Sequence, residues 1–224
     1  MIVAIDGPAG AGKSTVARAV ARRLGLAYLD TGAMYRGLTW LALQRGVDPA
    51  DGPSLAGLAR DVPMAIEPTR DGDRVRVDGE DVTAAIRLPE VSGRVSEVSA
   101  HAGVREEMVA AQRALLSSGG GWVSDGRDVG TVVWPGADLK VFLTASLEER
   151  ARRRRAELAA RGVEVDEPTV LEDVRRRDHL DTTRDTSPLR VAPGAIVIDS
   201  SEMRADDVVE RVVRLVEGLR AASA

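Results

Sequence analysis

Residues 1 to 24 constrain the fold more than any other part of the chain. Ile2-Val3-Ala4-Ile5-Asp6 is a short apolar run, Gly7-Pro8-Ala9-Gly10-Ala11-Gly12-Lys13-Ser14 follows it with the spacing G-x-x-x-x-G-K-[ST], and a helical pattern continues from Lys13 to Leu24. A strand, a glycine-rich turn and a helix in that order are the context in which this spacing forms a phosphate-binding loop. Gly7, Gly10 and Gly12 let the backbone wrap until several N–H groups converge on phosphate oxygens, and the helix adds the positive end of its dipole. Lys13 is expected to bridge the β- and γ-phosphates of a nucleoside triphosphate, and Ser14 to set its hydroxyl on Mg²⁺, an ion that takes oxygen ligands and keeps several waters. Asp125, which ends the apolar run Trp122 to Ser124, is the candidate carboxylate for ordering a metal-bound water. The candidate triphosphate contacts are therefore Gly7, Pro8, Ala9, Gly10, Ala11, Gly12, Lys13, Ser14 and Thr15; a ligand-free structural turn is the bland alternative. The motif names a triphosphate and leaves the reaction open.

Beyond the loop, short aliphatic runs alternate with helical patterns, the βαβ signature of a parallel sheet. Five strands are readable, at Ile2 to Asp6, Ala27 to Asp30, Trp122 to Asp125, Leu139 to Thr144 and Ala195 to Asp199. Helices are expected from Lys13 to Leu24, Ala33 to Arg45, Val104 to Ser117, Leu147 to Arg161, Thr169 to Thr183 and Ala205 to Ala222, with Gly25, Gly46 and Gly162 at helix C-terminal positions. The fold class is thus α/β, a P-loop NTPase with a five-stranded parallel sheet flanked by helices. Between Val62 and Ala100 the rhythm breaks: Met64, Ile66, Val75, Val77 and Val82 alternate with polar residues around Asp71 and Gly72, which reads as a hairpin-containing insertion. One core is expected, residues 1–61 and 101–224 of a single 1–224 domain, carrying that insertion at about 62–100 and a small lid at about 150–165.

Composition removes other classes. A hydrophobic share of 44% with a net charge of −4 gives no global field to recruit nucleic acid or a membrane surface. Cysteine is absent, which excludes disulfides, thiolate zinc sites and cysteine nucleophiles and favours a reducing compartment. Met1 runs straight into the first strand with no basic leader, so a cytoplasmic protein is expected. Asparagine is absent too, so the Asn-Lys-x-Asp guanine reader of G-proteins and the catalytic-loop Asn of protein kinases are both missing. Among 31 basic residues only Lys13 and Lys140 are lysines; a chain that otherwise uses arginine keeps a compact ammonium where a planar fork would fit badly.

Three further segments carry a resemblance: Asp30-Thr-Gly-Ala-Met-Tyr-Arg36, Ser124-Asp-Gly-Arg-Asp128-Val-Gly-Thr-Val-Val, and Arg175-Arg-Arg-Asp-His-Leu-Asp181-Thr-Thr-Arg184. With the phosphate loop and the insertion after residue 62, they make nearly the whole chain resemble the bacterial cytidylate kinases, of the nucleoside monophosphate kinase group. The resemblance implies ATP as donor, Mg²⁺ as cofactor, and CMP or dCMP as acceptor, with the insertion binding the monophosphate. It also implies that Thr31, Arg36, Arg127 and Arg184 hold the acceptor phosphate, Arg177 and Asp181 the sugar, and Ser96, Arg105 and Asp128 the base. Thr31 stands where a serine is also found, a change that keeps the hydroxyl donor. Partners are small molecules only, with no nucleic acid and no membrane, and a monomer is expected.

The residues support the assignment chemically. Cytosine offers an amino donor beside acceptors at N3 and O2, so a carboxylate and a hydroxyl opposite the amino group and a guanidinium opposite the acceptors form a matched set. Uracil reverses that edge and would leave buried polar groups unpaired, at about 1–3 kcal/mol each. The arginine cluster Arg150 and Arg152 to Arg155 has a second use besides solvation. At about 100° per residue, Arg154 shares the apolar face of Leu147, Ala151 and Leu158, where a guanidinium needs an anion to meet. Arg154, and Arg150 one turn before it, are therefore candidates to reach over the ATP phosphates from a lid. Lys13, Arg127, Arg154 and Arg184 form the catalytic set; His101 and His179 are not needed. A kinase for another monophosphate or a small metabolite, a nucleotide sensor, and a structural protein with a degenerate loop are the rival readings.

Overall fold

The computed structural model describes residues 1–69 and 72–222. In chain order its elements are β1 (Ile2–Asp6), α1 (Lys13–Leu24), β2 (Ala27–Asp30), α2 (Thr31–Gln44), α3 (Gly52–Asp61), β3 (Met64–Thr69), β4 (Gly72–Val77) and β5 (Glu80–Asp81). There follow α4 (Pro89–Val98), α5 (Ala102–Leu116), β6 (Trp122–Gly126), β7 (Leu139–Thr144), α6 (Leu147–Ala159), α7 (Glu167–Thr183), β8 (Ile196–Asp199) and α8 (Ala205–Ala222), with a π-helical turn at Val129–Val133. Where the length leads one to expect a single core, contacts divide the chain into two compact units. One comprises Met1–Tyr28, Gly120–Thr183 and the chain from Ser187 onward; the other comprises Leu29–Gly119 and Arg184–Thr186. The second unit is thus larger than the 62–100 stretch.

The first unit is organised by the five-stranded parallel sheet, in the order β2-β6-β1-β7-β8. β1 lies at its centre, pairing with β6 (Val3 opposite Val123) and with β7 (Val3 opposite Leu139), and every residue of β1 is buried, as an unbroken apolar run requires. Val3, Ile5, Val123, Val141, Leu143 and Ile198 pack against Val16, Ala17, Val20 and Ala21 of α1 and against Val208, Val209, Val212, Val213 and Val216 of α8. Valine is a mediocre helix former, so α8 is held by burial, at about 1.5–3 kcal/mol for each fully buried side chain. α6 and α7 pair through their own small cluster of Ala151, Leu158, Val170 and Val174.

The second unit contains a three-stranded antiparallel sheet, β3-β4-β5, with Ile66 opposite Val75 and Met64 opposite Val77. Its core gathers Ala33, Leu41, Val62, Val75, Val77, Val82 and Ile86. The alternation read at 62–82 therefore forms the expected hairpin; Asp71, placed at its turn, lies outside the described residues. α3 and α4 were not expected. Each has a local start: Asp51 accepts the Ser54 N–H at 3.1 Å and Pro53 follows within the first turn of α3, while Pro89 opens α4.

Candidate active site

β1 delivers the chain into the loop at Gly7, whose φ is +154° and where an added Cβ would stand 2.0 Å from the Leu143 carbonyl oxygen. Only glycine fits there. Gly10, at φ +75°, is crowded by the Arg150 backbone in the same way, with the nearest oxygen 2.8 Å from a notional Cβ. α1 then begins with no side-chain cap and no acidic residue in its own first turn, so its sequence does not fill the positive end of its dipole. Lys13 is buried and its Nζ donates to the Pro8 carbonyl at 2.8 Å. Burial first, and the nearby Arg127 charge second, push its pKa down to about 7, against the pull of Asp125, Asp181 and Asp6. A polyanion in the loop would reverse that shift.

The Ser14 hydroxyl donates to Asp125 Oδ2 at 2.8 Å, and the Tyr28 phenol donates to the other carboxylate oxygen at 2.6 Å. Among the described residues no cluster of three or more His, Asp or Glu side chains is arranged to hold a metal. A single hydroxyl beside a single buried carboxylate is the donor set that suits Mg²⁺, which keeps several waters and completes its shell from substrate phosphates. Tyr28, which orients this carboxylate, has no motif to betray it in the sequence.

Beside the loop is a cavity of about 630 Å³, lined by Gly10, Gly12, Thr15, Arg153, Arg154 and Ser200 among others. Arg153 spans it: Nη1 donates to the Ser200 hydroxyl at 3.0 Å, Nη2 to the Ser200 carbonyl at 2.6 Å, and Nε to Glu149 at 2.8 Å. Neither Arg153 nor Ser200 was singled out from the sequence. Arg154 keeps only 14% of its side chain exposed and pairs with Glu157 at 2.9 Å, in accord with its place beside the apolar stripe. Arg150 is placed otherwise than expected. Its Nε donates to the Ala145 carbonyl and its Nη1 to the Ala9 carbonyl at 3.1 Å, while Nη1 also meets Asp178 at 2.6 Å. It braces the phosphate loop through backbone oxygens, because a buried guanidinium is satisfied by carbonyls and a carboxylate as readily as by a ligand.

The remaining charges of the first unit converge. Arg127 Nε donates to Asp181 Oδ2 at 2.7 Å; burial works against the Arg127 charge, but Asp181, Asp178 and Asp125 outweigh it and hold the guanidinium above its ordinary pKa. Arg177 has no such balance. Burial, then repulsion from Arg127, bring it down to about 10 despite Asp181, and its Nε has no hydrogen-bond partner. Asp128 is buried, and its carbonyl accepts the Val133 N–H at 3.1 Å, closing the π-helical turn. Asp6, also absent from the sequence-derived set, accepts the Val129 and Gly130 N–H groups at 2.8 and 2.7 Å; burial pushes its carboxyl up to about 6.

The second unit holds Thr31, Arg36, Ser96, Arg105 and Arg184. Asp30 caps α2 by accepting the Ala33 N–H at 2.8 Å and holds Arg36 Nη2 at 2.7 Å; Thr31, the first residue of the helix, is buried. Arg105, only 2% exposed, donates to the Ser99 carbonyl at 3.1 Å and lies 5.3 Å from the Tyr35 ring centre. The Ser99 hydroxyl in turn donates to the Ser96 carbonyl, so Ser96 and Arg105 are linked through one residue. His101 meets the Pro49 carbonyl at 2.8 Å, a packing contact.

A parallel sheet running into a lysine-bearing phosphate loop, with arginines gathered in the same unit, defines a P-loop kinase. In fold the chain is similar to a gluconokinase from Sinorhizobium meliloti 1021, with a TM-score of 0.50 at 15% identity over 99% of this chain and 97% of that one. Residues 3–218 match the family model for cytidylate kinase, and the chain belongs to that family. It is 53% identical over 214 residues to the cytidylate kinase of Geobacillus kaustophilus (strain HTA426), covering 96% of this chain and 95% of the relative. To the cytidylate kinase of Mycolicibacterium paratuberculosis (strain ATCC BAA-968 / K-10) it is 50% identical over 216 residues, covering 96% and 95%. Among the described residues no helix is long and apolar enough to cross a membrane.

Proposed function

We infer that the chain transfers the γ-phosphoryl group of ATP to CMP and dCMP, giving ADP and the nucleoside diphosphate. The observation that carries the reading is the placement of Lys13, buried at the start of α1, near Arg127, which also neighbours Arg177: burial first, and repulsion from Arg127 second, bring the Lys13 and Arg177 pKa values down. Cations are buried together at such cost where polyanions are to neutralise them.

An oxygen of the CMP phosphate, largely the dianion near pH 7 with a second pKa of about 6, attacks the γ-phosphorus. The bond to the β,γ-bridging oxygen breaks, its electron pair stays with ADP, and no general base is needed. Lys13 and the loop N–H groups hold the triphosphate, while Arg127, Arg154 and Arg184 meet the charge that spreads over the transferring group. Ser14 and, through water, Asp125 would hold Mg²⁺, which would supply further neutralisation of phosphate charge. We assign the donor nucleoside to the cavity beside Thr15 and Arg153. Thr31, Arg36, Arg127 and Arg184 are assigned to the acceptor phosphate, Arg177 and Asp181 to its sugar, and Ser96, Arg105 and Asp128 to its base. Residues 150–165 serve as the lid, excluding water that would otherwise take the phosphoryl group. The protein works as a monomer on small nucleotides in the cytoplasm, without nucleic acid or membrane.

The test is ADP release from ATP against each common ribo- and deoxyribonucleoside monophosphate. CMP and dCMP should lead the panel; faster turnover of UMP or a purine monophosphate would overturn the assignment.

A further inference from the structure

We propose that Asp6 is a positioning residue for acceptor recognition, tying the segment that carries Arg127 and Asp128 to the strand end from which the phosphate loop springs. Its two carboxylate oxygens accept separate backbone donors, the Val129 N–H at 2.8 Å and the Gly130 N–H at 2.7 Å. Those two amides open the π-helical turn immediately after Asp128, while the three that follow, from Thr131 to Val133, all donate to the Asp128 carbonyl. The turn is thus closed on itself at Asp128 and pinned from outside at Asp6. Gly130 allows the approach: a Cβ there would stand 3.3 Å from Asp6 Oδ2 and 3.3 Å from the Ala192 Cβ.

Asp6 is joined to Gly7 by one peptide bond and is itself buried at the end of β1. The strand end next to the phosphate loop is therefore joined to the segment of Arg127 and Asp128 through one short, buried side chain and two hydrogen bonds. The Asp6 carboxyl also feels both neighbours electrostatically, Asp128 opposing its charge and Lys13 favouring it. Asp6 contacts no reacting atom; it acts through Asp128 and Arg127, so the inference rests on the acceptor reading above.

Asp6→Asn keeps the size and replaces one acceptor oxygen with an amide N–H, which turns a donor toward a donor. The expected result is a rise of about tenfold in KM for CMP and a comparable loss of CMP over UMP discrimination, with KM for ATP nearly unchanged and Tm lower by a few degrees because a buried donor loses its acceptor. Asp128→Ala, run in parallel, separates the two levels. If Asp128→Ala erodes discrimination and Asp6→Asn does not, the positioning role is wrong; if neither does, the base-reading assignment fails and takes the inference with it. Equal losses toward both substrates, whatever the fall in Tm, would mark Asp6 as merely structural and overturn the proposal. Amide hydrogen exchange in the unaltered protein gives a check that needs no variant: Val129 and Gly130 should be protected by at least tenfold although no backbone carbonyl accepts from them. Unprotected amides at both positions would remove the hydrogen bonds on which the proposal stands.

Discussion

Lys13 shows how a single side chain can report on its ligand. With its pKa near 7 in the folded chain against an ordinary 10.5, the unfolded chain binds more protons than the folded one between those values. This group therefore makes stability rise with pH from about 7 to 10.5, and its burial cost is present in full below 7. A triphosphate favours the charged form, so binding at pH 8, where roughly nine amines in ten are neutral by that pKa, takes up a proton. Titration calorimetry at pH 8 in buffers of different ionisation enthalpy should show uptake approaching one proton per ATP in the unaltered protein and none in Lys13→Ala. The same variant should lose kcat by about 100-fold or more without losing Tm, because it removes a buried charge. At Asp128 the expectation concerns selectivity: Asp128→Ala should reduce the kcat/KM ratio of CMP to UMP by about 5- to 150-fold, the equivalent of about 1–3 kcal/mol. An unchanged ratio would exclude Asp128 from base reading. Lys13 and Ser14 could be singled out because the loop spacing names them, and Asp125, which the fold brings to Ser14, because it ends an apolar strand. Tyr28, Asp6 and Arg153 could not, because their roles come from which strand ends and helix turns the fold brings together.

At the scale of elements, α6 separates two arginines one turn apart. Arg150 is buried in contact with two carbonyls and Asp178, so Arg150→Met strips a half-buried carboxylate of its partner and should cost about 2–4 kcal/mol of stability. Arg154 lines the cavity and pairs with Glu157 three residues on, a contact worth less than about 1 kcal/mol. Arg154→Ala should keep Tm and lower kcat by about 100-fold. Thermal denaturation and steady-state rates on both variants decide the matter, and the reverse pattern would exchange their roles. Periodicity put both side chains near the apolar stripe but could not say what anion or dipole satisfies each. The same limit applies to the elements themselves. The five strands of the parallel sheet were legible as aliphatic runs ending in Asp, Thr or Ser. α3 was hidden by Gly52, Pro53 and Gly57, which lower local propensity, and α4 because Val91, Val95 and Val98 follow a stretch whose period is two. Tertiary burial decides both.

For the whole molecule, the residues proposed for the donor lie in one unit, while those proposed for the acceptor are divided, with Arg127, Asp128, Arg177 and Asp181 in the first unit and the rest in the second. The phosphate loop, Ser14, Asp125 and the cavity beside Thr15 all lie in the first unit, whereas Thr31, Arg36, Ser96 and Arg105 lie in the second. Arg36→Ala should therefore weaken CMP binding by about 10- to 150-fold, the loss of a charge-assisted contact of about 1.5–3 kcal/mol, and leave ATP affinity within twofold. Calorimetric titration of each nucleotide separately measures this, and unaltered CMP affinity would remove Arg36 from the acceptor set. The extent of the second unit escaped the sequence because the apolar stripes of α2, α3 and α5 carry no mark of which sheet they will cover. A practical consequence follows from the buried amine of Lys13. Besides the α-amine, a reagent that forms an imine with uncharged primary amines finds two lysines in this chain, and burial pushes the pKa of one of them down to about 7 beside the glycine-rich loop. A phosphorylated aldehyde trapped by borohydride should mark that position, and the extent of labelling would then gauge directly how much of a preparation has its donor loop empty.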